Sequence, residues 1–141
     1  MARATVKQKL EAPADAVWRL IAAFGDTSWM PAGTRATAKG SGPGMTRAIA
    51  AGPDRTIVER LESVDASART LVYTIPENVP FPVTDYRATM RVLAAPVGCE
   101  LEWSASFTPA GAPEADCARA IEGMYGVMIG WIGARAKALA S

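Results

Sequence analysis

The sequence predicts an α+β fold: a curved antiparallel sheet of about seven strands around a long C-terminal helix, with two short helices after the first strand. Three observations carry this. Residues 57–61, 71–75, 86–92 and 101–107 alternate apolar and polar side chains, the pattern of strands with one dry face and one wet face. After Pro113 the apolar residues switch to helical spacing and keep it to the end of the chain. Turn signals separate the segments, with no internal repeat and no break that would mark a second domain.

Taken in order, Thr5 to Glu11 is a strand, and Lys7 with Lys9 suits it to a sheet edge. Ala12-Pro13 opens a helix, because proline is tolerated in the first helical turn. Val17, Leu20, Ile21 and Phe24 hold helical spacing and Gly25 ends it. Asp26-Thr-Ser28 caps a second short helix that carries Trp29 and Met30 and stops at Pro31. A weak strand near 34–39, a turn at Gly40–Pro43 and a strand from Met45 to Ala50 follow. Ala51–Asp54 turns the chain into a strand from Arg55 to Val64, and Asp65–Ser67 turns it back along Arg69 to Ile75. Pro76–Pro82 is a loop, and Thr84 to Leu93 is the clearest strand. Pro96–Gly98 turns again, Glu100 to Thr108 returns, and a helix of about 26 residues runs to Leu139. Such a meander curls because sheets twist, and a helix lying in the curl buries the dry face.

At 141 residues the chain is one domain, residues 1–141, with half its residues hydrophobic. A net charge of +1 from interspersed residues gives no footprint for nucleic acid and no polybasic patch for a membrane surface. Met1 to Glu11 lacks the apolar core of a secretory signal, and no apolar run is long enough to span a bilayer, so the cytoplasm is the expected location. Cys99 and Cys117 have neither metal nor redox spacing and read as small buried hydrophobes. With no histidine, Ser-His-Asp and Cys-His systems and histidine zinc sites are excluded. No metal and no cofactor is expected, and acid–base chemistry falls to Glu, Asp, Tyr, Lys or Arg.

Three polar side chains share the dry face. Glu59 lies between Ile57 and Leu61, and without a partner there its pKa would rise toward neutrality, fitting it for proton transfer. The alternative is a structural carboxylate bonded to a nearby arginine or backbone group. Tyr73 and Tyr86 each offer an apolar ring with one hydrogen-bonding tip, suited either to orienting a ligand or to closing a core. Trp103 alternates with Leu101, Ala105 and Phe107 and so points inward; a one-residue change of register would bring Glu102 in instead. On the last helix Cys117, Ile121, Met124, Tyr125, Met128, Ile132 and Leu139 share an arc and should face the sheet. Gly123, Gly126, Gly130 and Gly133 fall on the opposite side, which suggests close approach of another backbone and a possible homodimer.

The stretches Ala12-Pro-Ala-Asp-Ala-Val-Trp18, Phe24-Gly-Asp26 with Trp29, Glu59-Arg-Leu61, Asp85-Tyr-Arg87 and Glu100-Leu-Glu-Trp103 resemble the SRPBCC superfamily of START and birch-pollen-allergen proteins. Within it the chain is most similar to the small polyketide cyclase/dehydrase-like group. The resemblance implies the helix-grip fold, with an apolar cavity between helix and sheet. Glu59-Arg-Leu61 and Asp85-Tyr-Arg87 also resemble the abscisic-acid receptors, in which positions matching Glu59, Tyr73, Ile75 and Tyr86 line the cavity. There the loop matching Ala50–Asp54 is a gate, whereas Glu77–Pro82 departs from the receptors' second loop. The ligand-binding set so implied is Trp29, Ile57, Glu59, Tyr73, Ile75, Phe81, Tyr86, Ala88, Met90, Trp103, Met124, Tyr125 and Met128. Glu59, Tyr73 and Tyr86 are the candidate catalytic residues. The expected function is binding of a small hydrophobic, aromatic or polyketide-like molecule, with cyclisation and loss of water as its enzymatic form. A non-catalytic carrier or sensor is the alternative, and a protein-interaction module working through the glycine face is a third.

Overall fold

The computed structural model describes residues 1–141 and gives the order β1 (Ala2–Leu10), α1 (Ala14–Ala22), β2 (Ala36–Lys39), β3 (Thr46–Ala50), β4 (Thr56–Asp65), β5 (Thr70–Glu77), β6 (Val83–Ala94), β7 (Cys99–Pro109) and α2 (Glu114–Ala140). The strands form one antiparallel sheet in the order β1-β7-β6-β5-β4-β3-β2. Strands β2 to β7 are a simple meander. β1 closes the series by pairing with β7 along its whole length, from Ala2 opposite Phe107 to Leu10 opposite Cys99. It is therefore an edge strand, as its lysines suggest.

One short helix follows β1, not two. Pro13 stands at the N-cap of α1, and its carbonyl accepts from the amides of Ala16 and Val17. After Phe24 the chain makes only single turns: the Ser28 amide donates to Asp26 Oδ1 at 2.9 Å, and the Met30 amide to the Thr27 carbonyl at 2.9 Å. Pro31 follows at once, and a proline there stops a second turn from forming.

α2 buries Cys117, Ile121, Tyr125, Ile129, Ile132 and Ala136. The buried stripe is thus rotated slightly from the expected arc. Met124, at the margin of the stripe, is 37 % exposed, and Leu139 is 54 % exposed because the last turn runs out beside a surface groove along α1. The helix packs mainly on β1 and α1, and to a lesser extent on β7. Gly126 and Gly133 face that side: a Cβ on Gly133 would lie 2.7 Å from Leu10 Cδ2, and one on Gly126 would lie 3.6 Å from Gln8 Nε2. The close approach expected of a second copy is thus supplied, for these two glycines, by the chain's own first strand. Gly123 and Gly130 have open space around them.

Two register shifts bear on what faces inward. β6 carries one between Thr84 and Arg87, with Asp85 at φ 54°. This bulge turns both Val83 and Tyr86 to the dry face, which strict alternation would forbid. The other lies between β4 and β5, where Val58 and Arg60 pair with Glu77 and Thr74, so the extra residue is on β5, opposite Glu59.

The glycines on α2 are separable by experiment. Gly130→Ala should raise stability by about 0.5–1 kcal/mol, the helix-propensity gain. Gly133→Ala should forfeit that gain or lose stability, because the new methyl displaces Leu10. Urea midpoints of the two variants would order them.

Candidate functional site

Because α2 lies close over β1 and β7, it leaves a wedge over the far half of the sheet, at the end where β3 and β5 leave and β4 and β6 enter. A pocket of about 250 Å³ occupies that wedge, room for roughly eight waters at about 30 Å³ each. Its wall takes Ile57, Glu59, Tyr73, Ile75 and Tyr86 from the sheet, and Trp103 from β7. Met124, Tyr125 and Met128 come from α2, Trp29 from the turns after α1, and Phe81 from the loop before β6. These are the residues expected to line it. Ala88 and Met90 are the exceptions. Both are buried, yet they lie further along β6 where α1 and α2 fill the space above the sheet, so they belong to solid core. Trp103 points inward with 1 % exposure, and the half-exposed Glu102 does not reach the pocket.

The wall also holds residues that sequence reasoning missed: Arg47, Ile49 and Ala50 from β3, Met30, Pro31 and Thr34 after α1, Pro80, and Trp131 of α2. A signal existed for three of them. Arg47 and Ile49 alternate on one face of a strand that a five-residue turn joins to β4, so a hairpin sets Arg47 opposite Glu59 and Ile49 opposite Ile57, as found. Trp131 continues the stripe of Met124 and Met128 by one turn of helix.

Arg47 changes the meaning of Glu59. The arginine is 3 % exposed, and its Nε donates to Glu59 Oε1 at 2.6 Å. Its Nη1 donates to the Phe24 carbonyl at 3.0 Å, and the guanidinium lies over the Phe24 ring with Cζ 3.9 Å from the centroid. The carboxylate without a partner, on which the proton-transfer expectation rested, is therefore corrected: Glu59 is the partner of a buried arginine. Glu59 Oε2 and Arg47 Nη2 make no hydrogen bond within the protein, and neither atom is fully buried. They are the ends of the pair that the pocket can reach. No other charged residue lines it.

All three tyrosines of the chain stand together. Trp103 Nε1 donates to the Tyr73 hydroxyl at 3.1 Å, and the Tyr86 and Tyr125 hydroxyls bond each other. The Trp103 and Tyr125 rings stack at 4.6 Å and 16°, which ties α2 to β7. Burial pushes the phenols of Tyr73, Tyr86 and Tyr125 well above their ordinary value; the charge of Glu59 adds to this at Tyr73, and neighbouring phenols add at Tyr86 and Tyr125. At neutral pH the trio is a set of uncharged donors.

Two loops flank the mouth. Arg55 Nη2 donates to the Val79 carbonyl at 2.9 Å, and Asn78 Nδ2 to the Thr56 carbonyl at 2.6 Å. Arg55 and Thr56, immediately after the Ala50–Asp54 segment expected to be a gate, are thus tied to the loop before β6. No group of His, Cys, Asp and Glu side chains could hold a metal ion, and no helix is long and apolar enough to cross a membrane.

A family model described as polyketide cyclase / dehydrase and lipid transport matches residues 1–136. The chain belongs to this family. Among solved structures of similar shape, an uncharacterised protein of Bacillus thuringiensis is 30% identical, with a TM-score of 0.80 over 95% of this chain and 98% of that one. A Thermobifida fusca protein solved in solution is 34% identical, with a TM-score of 0.75 over 96% and 90% of the two chains. Norcoclaurine synthase from Thalictrum flavum, in complex with dopamine and hydroxybenzaldehyde, superposes with a TM-score of 0.76 over 99% and 88% of the chains at 17% identity, a likeness of fold. No curated protein matches. Membership of the polyketide cyclase / dehydrase family, with its SRPBCC-type fold, accounts for the curved sheet and the gripping helix.

Two measurements test the site's electrostatics. Arg47→Met leaves Glu59 buried without its partner and should cost about 3–5 kcal/mol, whereas adding Glu59→Met should recover most of the loss; denaturant unfolding of the two variants checks this. The folded chain keeps phenolic protons that the unfolded chain releases above about pH 10. Stability should be full below that pH and fall as pH rises beyond it. Native protein should show no tyrosinate absorbance near pH 10, while the urea-unfolded chain should already show about half of its full amount there.

Proposed function

We propose that the chain binds a small hydrophobic molecule, aromatic or polyketide-like, in the pocket between α2 and the sheet. The observation that carries this is the composition of the wall: 14 of its 19 residues are hydrophobic, and the polar groups converge from one side, as Arg47 with Glu59 and the three phenols. An apolar enclosure with a few convergent polar groups is what ligand sites are made of. At about 250 Å³ the pocket suits a molecule of one or two rings. Met124 and Met128 at its edge add side chains that adapt to irregular shapes. The family description and the aromatic ligands in the norcoclaurine synthase complex point the same way.

The family description also supports an enzymatic form of the same site, cyclisation with loss of water. Glu59 Oε2 would take a proton from the carbon beside one carbonyl, and that carbon would close the ring on a second carbonyl whose oxygen Tyr73 and Tyr86, uncharged at neutral pH, hold by hydrogen bonds. The proton taken by Glu59 would pass to the new oxygen, and removal of a second proton from the same carbon would expel that hydroxyl, protonated, as water. The pocket would hold a flexible chain folded for ring closure, which by itself removes much of the barrier. In the carrier or sensor form the same groups only orient the guest.

A thermal-shift screen of aromatic and polyketide-like compounds tests the binding reading. A ligand at a hundred times its Kd should add about 2.7 kcal/mol, several degrees of Tm. A panel that leaves Tm unmoved, together with native mass spectrometry of freshly purified protein carrying nothing, would refute it. With a ligand in hand, Glu59→Gln should abolish turnover and spare binding if the site is catalytic, and merely weaken binding if it is a carrier.

A further inference from the structure

We infer that the pocket selects uncharged ligands, aromatic or polyketide-like molecules whose polar groups are hydroxyl and keto oxygens, and rejects carboxylates of the same shape. The inference rests on the binding reading above and narrows it to a chemical class.

The first argument is charge balance. Arg47 and Glu59 are the only charged residues on the wall, and they are paired at 2.6 Å. An entering carboxylate would be a net charge without a counter-ion in an apolar enclosure, which is costly. Nor is the arginine free to serve it. Two of its nitrogens are held, by Glu59 Oε1 and by the Phe24 carbonyl, and its face lies on the Phe24 ring. A two-point arginine–carboxylate bond to the ligand would have to pair Nη2 with one of these two already bonded nitrogens. Releasing them would strand Glu59 in place of the ligand.

The second argument is the hydrogen-bonding groups left over. At the ion pair these are the free N–H groups of Arg47, both on Nη2 and the second on Nη1, and one acceptor atom, Glu59 Oε2. A hydroxyl, which donates and accepts, meets both; a carboxylate would set its own oxygens against Glu59 Oε2. At the phenols, Tyr73 accepts from Trp103 without giving its own proton, and Tyr86 with Tyr125 spends one proton on their mutual bond. The protons left there suit a keto oxygen. Burial and, after it, the charge of Glu59 oppose ionisation of Tyr73 and Tyr125, outweighing the pull of Arg47 at Tyr73, so negative charge is disfavoured at that end too.

The test compares 2-naphthol with 2-naphthoate at neutral pH, by calorimetry and by quenching of the tryptophans on the wall. The wild-type protein should bind 2-naphthol at least tenfold more tightly. Glu59→Gln, which leaves Arg47 as an uncompensated cation, should shrink or invert that ratio, while the double variant Arg47→Met, Glu59→Met, with no charge on the wall, should keep the preference for naphthol. Circular dichroism confirms that each variant folds; the wild-type ratio stands alone if one does not. Equal or tighter binding of naphthoate by the wild-type protein would overturn the charge rule and leave the binding reading standing. Failure of both probes to bind would count against the binding reading itself and take this inference with it.

Discussion

The pocket depends on one buried ion pair. Arg47 sits on a strand of five residues near the free edge of the sheet, and Glu59 sits opposite it on β4. Taking both charges out of water is expensive, and such a pair persists only when its geometry and additional hydrogen bonds offset that loss. Here the additional bond goes to the Phe24 carbonyl, where the chain leaves α1. The pair thereby adds, to the ladder that already joins β3 and β4, a tie from the sheet to the end of the first helix. It is also what makes a polar spot inside an apolar wall tolerable, since each charge is answered before any ligand arrives.

The aromatic residues perform the complementary task beside the ion pair, with Arg47 lying over the Phe24 ring. Tyr73 lies within 6.3 Å, centroid to centroid, of Phe24, Tyr86 and Trp103, and Trp103 in turn stacks on Tyr125 of the helix. The cluster therefore runs from α1 through β5, β6 and β7 to α2. Hydrogen bonds at the ring tips fix the orientation that ring packing alone would leave loose. Because the hydroxyls gather at one place while the rings face outward from it, the site is greasy in most directions and hydrogen-bonding in one.

Most of the fold was legible in the sequence because strand alternation and helical spacing are set by burial, and burial is what composition along a chain records. The four alternating segments became β4 to β7, and the order of elements followed from the turn signals. What was not legible depended on pairing across the sheet. Glu59 read as a possible lone acid because its partner lies 12 residues away on a strand whose alternation is short and diluted by small residues. The bulge at Asp85, which lets Val83 and Tyr86 share a face, leaves no mark on periodicity. The second helix was over-read from a capping pattern, since a cap without a following turn of helix is only a turn. Ala88 and Met90 were placed on the pocket wall because they share a face with Tyr86; alternation gives the face but not the position along it.

That position is set by residue size. Ala4, Ala105, Ala88 and Tyr73 stand in one row across the sheet, paired in register on β1, β7, β6 and β5. Three small side chains and then a large one make a ramp. A helix laid across it settles deep over the alanines and is held off from the sheet beyond Tyr73. The hollow is thus the geometric remainder of close packing at the other end. Filling the alanine row would lift the helix and open the core, whereas shrinking the tyrosine would let the helix fall and close the pocket. The same few positions therefore set both how firmly the helix grips and how large a guest the grip leaves room for.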